Sequence, residues 1–125
     1  MSERTVLQKL HLKPGQRLYL SSPPEHFLGS LTDLPEGALT EEPGEASIIL
    51  LFVRDRTELE SAVPAAVGRM TKGAALWVAY PKSSSRPATD INRDSIWSWA
   101  RKWGMDAVAS FSIDQRWSAL RIKVP

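Results

Sequence analysis

The stretch SIILLFV, residues Ser47–Val53, decides the fold of this 125-residue chain. Six apolar residues follow Ser47 without a break, and the run lacks the alternation of a strand that turns one face to water. A run this short and continuously apolar is typical of a strand covered on both faces, as in a parallel sheet between helical layers. We therefore predict that SIILLFV is the central strand of a sheet.

The sequence after SIILLFV predicts a βαβ unit at the centre of the chain. Thr57–Met70 has apolar residues at helical spacing, and Thr57 and Glu60 have the spacing of a capping box. Pro64 interrupts this helix and predicts a kink or a break into two short helices. Ala74–Tyr80 is a second continuously apolar run, which indicates the next buried strand.

The N-terminal third predicts a helix over Ser2–His11, a first strand over Arg17–Ser21 and a short edge strand over Ala38–Thr40. Between the two strands, Ser22 and Glu25 have the spacing of a capping box, and a proline follows Ser22 directly. We therefore expect Ser22 to cap a second helix. The side chains of Phe27, Leu28 and Leu31 would point inward from that helix.

The C-terminal third begins with a polar connection, Pro81–Ala88, and continues with a helix capped by Asp90 or Asn92. Gly104 marks the end of this helix. The residues expected on its inward face are Ile96, Trp99, Ala100 and Trp103. Alternating runs then predict an antiparallel hairpin of residues 107–113 and 117–124 at the edge of the sheet.

Composition excludes several classes of function. Cysteine is absent, so the sequence predicts no disulfides and no thiol catalysis. His11 and His26 lie outside any metal-ligand spacing. No phosphate-binding loop or nucleophile elbow is present, and we assign no catalytic or metal-binding residue. No apolar run approaches the ~20 residues of a membrane helix, and the first residues lack a signal-peptide core, which predicts a soluble cytoplasmic protein.

Charge is distributed unevenly along the chain. Residues 25–60 carry nine acidic side chains against two arginines, whereas residues 61–125 carry ten basic side chains against four acidic ones. A basic half suits an acidic ligand or nucleic acid, and the alternative that we favour is that the two halves face each other across one small domain and partly neutralise. We expect a small anionic ligand from the serine, lysine, arginine and aspartate residues of 81–90, beside residues 21–25. No basic run is interleaved with exposed aromatic residues, so nucleic-acid binding is improbable.

Short motifs carry a resemblance to known families. Met70–Ala74 is similar to the turn that precedes a strand in class I S-adenosylmethionine (SAM)-dependent methyltransferases, and a closing antiparallel strand pair is typical of the same family. Four further segments resemble a bacterial family of unassigned function, and this resemblance covers residues 5–125. Those segments are Pro24-Glu25, Trp77–Lys82, Thr89-Asp90 and Asp114–Ser118.

The resemblance implies an α/β fold in one domain, residues 1–125. We expect a shortened, methyltransferase-like variant of the three-layer Rossmann-like sandwich. Its sheet would be mostly parallel, with about six strands and the C-terminal antiparallel hairpin.

The turn after the first strand differs from the turn that holds the methyltransferase cofactor. The family has glycines there, whereas this chain has Leu20–Glu25 with none. Pro23 and Pro24 remove two backbone N–H donors, and Glu25 adds a negative charge. We therefore judge SAM an improbable cofactor, and no other cofactor is predicted.

Candidate ligand-binding residues follow from the rule that open parallel sheets bind ligands beyond the carboxyl ends of their strands. The rule also places Arg54 and Asp55 at such an end. The candidates are Ser21, Ser22, Glu25, Lys82, Ser83, Ser84, Asp90, Asp114 and Trp117. Each has a simpler alternative, which is helix capping for the serine–glutamate pair and for Asp90, a solvated linker for residues 82–85, and partial core burial for Trp117.

Two functional hypotheses remain open. The first is a non-catalytic domain that binds a small anionic or nucleotide-like ligand at the strand ends. The second is a protein-interaction or scaffold module that forms a homo-oligomer through the terminal hairpin, since an exposed edge strand is a template for pairing. A SAM-dependent methyltransferase is the third choice.

Overall fold

The computed structural model describes residues 5–31, 33–82 and 90–124 of the chain. Within these ranges the strands are β1 (Leu18–Ser21), β2 (Ile48–Phe52), β3 (Ala75–Pro81), β4 (Asp106–Ser112) and β5 (Trp117–Lys123). The α-helices are α1 (Val6–Leu10), α2 (Arg56–Arg69) and α3 (Arg93–Lys102). Two short 3-10 turns cover Leu28–Ser30 and Pro43–Glu45.

The strands form one mixed sheet in the order β1-β2-β3-β5-β4. β1–β2 and β2–β3 are parallel pairs, whereas β5 is antiparallel to both β3 and β4. The prediction of a mostly parallel sheet with about six strands is therefore wrong. The expected edge strand at Ala38–Thr40 contributes only an isolated bridge between Leu39 and Leu18, because the turn at Gly37 and the 3-10 turn at Pro43 leave it too little length.

Burial on both faces confirms the prediction for β2. All five of its residues are buried, and the strand lies between β1 and β3. Ile49 and Leu51 belong to the core on one face of the sheet, and Ile48, Leu50 and Phe52 belong to the core on the other. Each such side chain contributes about 1.5–3 kcal/mol by leaving water.

Helical layers cover both faces of the sheet. On the first face α2 and α3 contribute Leu59, Val63, Ile96 and Trp99 to the core, and on the second α1 and the 3-10 turn region contribute Leu7, Leu10, Phe27 and Leu31. Trp103, predicted to point inward, is instead 64% exposed, because α3 ends at Lys102. Among the described residues no helix is both long and apolar enough to cross a membrane.

The helix predicted to begin at Ser22 does not form. Ser22 has a φ of 54°, in the left-handed region, and its side chain caps no helix. The chain continues through turns into the three-residue 3-10 segment Leu28–Ser30, and Leu28 is 46% exposed. Pro23 and Pro24 fix two consecutive φ angles, and Pro24 lacks the N–H that a cap at Ser22 could bind at the second helical position.

Helix α2 differs from its prediction at its cap, and at Pro64 it does not break into two short helices. Its cap is Asp55, whose carboxylate accepts a hydrogen bond from the N–H of Glu58 at 2.9 Å, so the capping box expected at Thr57 is not used. Pro64 lies inside the helix, which continues through it without a break. The proline ring is on the solvent-exposed side, opposite the buried residues Leu59, Val63 and Ala66.

Pro64→Ala should stabilise the protein by about 1–3 kcal/mol. Proline in a helix interior is about 3 kcal/mol less favourable than alanine, and part of this is offset because proline also restricts the unfolded chain. Urea denaturation measures the change. Gly68→Ala is the control. Gly68 lies one turn further along the exposed side, an added Cβ would meet open space there, and the substitution should raise the free energy of unfolding by about 1 kcal/mol. A gain from Gly68→Ala without one from Pro64→Ala would contradict the prediction.

Candidate functional site

The carboxyl ends of the parallel strands meet at one edge of the sheet. β1 ends at Ser21, β2 at Phe52 and β3 at Pro81, and β5 begins beside β3, with Trp117 opposite Pro81. After β1 the chain crosses to the face that Phe27 covers, whereas after β2 it crosses to the face that α2 covers. In open α/β sheets such a divergence opens a crevice that binds ligands. We name the space between residues 21–22 and residues 54–55 the strand-end crevice.

Arg54 connects the two sides of the strand-end crevice. Its Nη2 donates a hydrogen bond to the backbone carbonyl of Ser22 at 3.0 Å, and its guanidinium lies 5.4 Å from the centre of the Trp117 ring. Its backbone N–H donates to Oε1 of Glu58 at 2.7 Å, and Nη1 lies 3.7 Å from the same oxygen. The side chain remains 42% exposed, so the guanidinium lies at the mouth of the crevice, in contact with solvent.

The turn after β1 compensates for its missing glycine. Ser22 adopts a positive φ, the conformation for which glycine is the usual residue, and its carbonyl is held by Arg54. The sequence suggested that the absence of glycine changes this turn. The backbone shows that a serine keeps the left-handed geometry, at a cost of about 1–2 kcal/mol for a residue with a Cβ. Glu25, four residues beyond Ser21, is exposed.

Ser22→Gly should raise the free energy of unfolding by up to about 1 kcal/mol. Glycine removes the strain of the left-handed conformation, and part of this stabilisation is offset because glycine increases the entropy of the unfolded chain. The matched control is Ser21→Gly in the extended strand β1, which should lower the free energy of unfolding by about 0.5–1 kcal/mol. Chemical denaturation of both variants measures the difference. Equal destabilisation by the two substitutions would contradict the assigned backbone conformation.

Asp90 contacts the start of α2 and does not cap α3, the helix that follows it in the chain. Its Oδ1 accepts a hydrogen bond from the backbone N–H of Arg56 at 2.9 Å. Helix α3 is capped instead by Asn92, which exchanges hydrogen bonds with Ser95. With Asp55 already bonded to Glu58, two carboxylates occupy the N-terminus of α2. Their negative charge opposes binding of a phosphate at this helix start.

A second group of predicted residues lies further along the same sheet edge. Lys82 Nζ donates to Ser112 Oγ at 2.6 Å, and the Lys82 N–H donates to the carbonyl of Arg116 at 2.8 Å. Asp114 accepts hydrogen bonds from the N–H groups of Arg116 and Trp117 at 2.7 and 2.8 Å, which shapes the turn between β4 and β5. Its other oxygen lies 3.8 Å from His26 Nε2.

Trp117 is a core residue at this edge, as the simpler alternative proposed. It is 8% exposed, and its ring makes an edge-on contact with Phe52 at 5.1 Å. Ser83 and Ser84 lie outside the described residues. Arg54 thus links Ser22, which follows Ser21, to Trp117. The sequence analysis placed Arg54 at a strand end without counting it as a candidate.

Tyr80 is a titratable group near the end of β3 that the sequence analysis did not select. Burial raises the pKa of its phenol, opposed by the nearby Arg93 guanidinium and a hydrogen bond with Ser118. The side chain is 7% exposed and contacts the core shared with α3. The phenol therefore stays protonated over the physiological range of pH.

Stability should fall at alkaline pH partly through Tyr80. Because the pKa is raised in the folded state, the contribution is complete below the unfolded value near 10 and is lost as pH rises through the folded value. The tyrosinate difference spectrum between the wild type and Tyr80→Phe isolates this titration. Its midpoint should lie above that of a free tyrosine amide, and a midpoint at or below that value would contradict the assignment.

Away from the strand-end crevice, two cavities have linings formed by described residues. One of about 550 Å³ lies at the opposite ends of the strands, where β3 begins and β5 ends, next to Met70, Lys72, Arg121 and Lys123. The other, of about 300 Å³, lies between α3 and β4. Within the described ranges, no cluster of three or more histidine or acidic side chains could hold a metal ion.

Comparisons with known proteins place the fold. No protein-family model and no curated protein matches the chain. The chain is similar to a solved structure of LepI in complex with SAM, with 14% identity and a TM-score of 0.53. It is also similar to a structure of a pericyclic reaction enzyme, with 14% identity and a TM-score of 0.52. At this identity the likeness shows the fold alone.

Both alignments cover 96% of this chain and 39% of the solved chain, so the protein spans about two fifths of the length of these neighbours. The likeness to a structure solved with SAM supports the α/β fold expected from the sequence. The resemblance to a bacterial family of unassigned function stays a prediction.

One prediction from the sequence is contradicted by this likeness. SAM was judged improbable because the turn after β1 has no glycine, yet a structure that shares the fold over nearly the whole chain is a complex with SAM. The left-handed backbone conformation that glycine favours is nevertheless present in this turn, at Ser22. The chain has the α/β fold of a SAM-bound structure, and its turn retains the backbone geometry that glycine favours.

Proposed function

We propose that this chain binds SAM or a related adenosine-containing zwitterion in the strand-end crevice. The observation that carries the proposal is the position of Arg54, which lies half exposed between the ends of β1 and β2 in a fold shared with a SAM complex. A guanidinium there suits the carboxylate of an amino acid, to which it can add a charge-assisted hydrogen bond while it keeps its contacts with Ser22 and Glu58.

The charges around Arg54 favour a zwitterion over a polyanion. Asp55 and Asp90 lie at the start of α2, and Glu58 lies one turn beyond. Carboxylates attract the ammonium and sulfonium groups of SAM and repel a triphosphate. The carboxylates retain lone pairs beyond those used by backbone N–H groups, and these suit ribose hydroxyls. The small anionic ligand expected from the sequence is therefore revised to one that carries both signs of charge.

Titration calorimetry with SAM, S-adenosylhomocysteine and ATP tests this function. SAM and S-adenosylhomocysteine should bind, ATP should bind more weakly than either, and ligand at 100 times its Kd should stabilise the fold by about 2.7 kcal/mol. Arg54→Ala should weaken SAM binding about tenfold or more by removing a charge-assisted pair. Thermal unfolding without ligand checks that this variant folds.

The matched control is Arg69→Ala. Arg69 is exposed at the far end of α2, where its Nη2 lies 3.4 Å from Glu42, so its loss should leave the affinity for SAM unchanged. Absence of binding by both adenosyl compounds at millimolar concentration would refute the proposal. An equal loss of affinity in both variants would refute the role of Arg54.

A SAM-dependent enzyme is the second candidate, favoured by the likeness to a pericyclic reaction enzyme and to a SAM complex. Incubation with SAM and a small-molecule extract distinguishes it from a binding domain. Formation of S-adenosylhomocysteine that the Arg54→Ala variant does not support would favour catalysis, and binding without turnover would favour the binding domain.

A further inference from the structure

Exposed apolar side chains gather beside the last strand of the sheet. Trp97 on α3 is 41% exposed, Val108 on β4 is 50% exposed, and both line the cavity of about 300 Å³ between these elements. β4 pairs with β5 on one side only, and no described strand covers its other side. We name Asp94, Trp97, Arg101 and residues 108–110 the edge patch.

A bulge in β4 presents Val108 to the solvent. The pairing with β5 shifts between Ala107 and Ala109, which leaves Val108 as the extra residue on the edge strand. Bulges often protect an edge strand from unwanted pairing. Here the extra residue is apolar, and residues 109–112 continue in regular register beyond it, so an unpaired stretch of strand remains available.

The side chain of Trp97 is ordered by contacts within the single chain. Its Nε1 donates a hydrogen bond to Oδ1 of Asp106 at 2.9 Å, and the Arg101 guanidinium lies 5.2 Å from its ring centre. The same hydrogen bond lowers the pKa of Asp106, so its carboxylate stays charged at neutral pH. A tryptophan that is already ordered loses little conformational entropy on docking, and Trp and Arg dominate the affinity of many interfaces.

The charges of α3 are self-complementary about Trp97. Asp94, Trp97 and Arg101 have i, i+3 and i+7 spacing and therefore lie on one side of the helix. A two-fold rotation reverses this order, so that Asp94 of one copy lies opposite Arg101 of the other and the two Trp97 rings meet at the centre. The same rotation brings two β4 strands together in antiparallel orientation, because a two-fold contact uses the same surface on both copies.

We propose that the edge patch docks a second copy of this chain, through antiparallel β4–β4 pairing flanked by reciprocal Asp94–Arg101 contacts. An unrelated strand added to β4 satisfies the backbone groups but offers no reciprocal partners to Arg101 and to Asp94, which in the single chain lies 3.8 Å from Arg93. The second copy matches both, and this complementarity selects it over other occupants.

Sedimentation velocity over a range of concentrations tests the proposal on the full chain. The wild type should form a dimer as concentration rises. Asp94→Arg and Arg101→Asp should each be monomeric alone, because each places like charges opposite each other. An equimolar mixture of the two variants should recover the dimer, since each then supplies the charge that the other lacks. Circular dichroism verifies that both variants keep their helices.

A second pair of variants tests the strand contact independently. Val108→Lys changes an exposed residue of the edge patch and should weaken dimer formation about tenfold or more. Leu39→Lys changes a residue of similar exposure, 40%, at the opposite edge of the sheet and should leave dimer formation unchanged. A wild type that stays monomeric at all concentrations, a mixture that stays monomeric, or equal effects of Val108→Lys and Leu39→Lys would each overturn the proposal.

Discussion

The exclusion of water from both faces of β2 is the constraint on which the rest of the structure depends. Ile48–Phe52 has no polar face, so the sheet around it requires apolar cover above and below. α2 and α3 provide that cover on one side, and α1 with the region around Phe27 provides it on the other. The connections after β1 and β2 reach opposite faces, and the strand-end crevice lies where they diverge.

Local patterns were sufficient to predict the elements that organise the core. The continuous apolar run of β2, the helical spacing of Ile96, Trp99 and Ala100, and the alternating residues of the terminal hairpin all correspond to observed elements. Each of these signals lies within one short segment. At Ser22 the local pattern was insufficient, because the capping-box spacing and the proline after it both favoured a helix that does not form.

The candidate site was less predictable, because its main contacts join distant residues. Arg54 reaches the carbonyl of Ser22 across 32 positions of sequence, and Asp90 reaches the N–H of Arg56 across 34. No spacing rule connects such pairs. The strand-end rule nevertheless selected the edge of the sheet at which these contacts lie, because parallel strands place their carboxyl ends together whatever side chains follow them. It identified where Arg54 lies but not what Arg54 contacts.

The two outer edges of the sheet are unequal, and this limits how copies can assemble. β1 has four residues, and the N–H and carbonyl of Leu18 are already bonded to Ala38 and Thr40 at 2.7 and 3.0 Å. β4 has seven residues and a bare outer side in the described part of the chain. Growth into a fibre requires two adhesive edges on every molecule, whereas the described residues offer only one of useful length. Under the proposed β4–β4 pairing, association along the sheet would therefore close after a single addition.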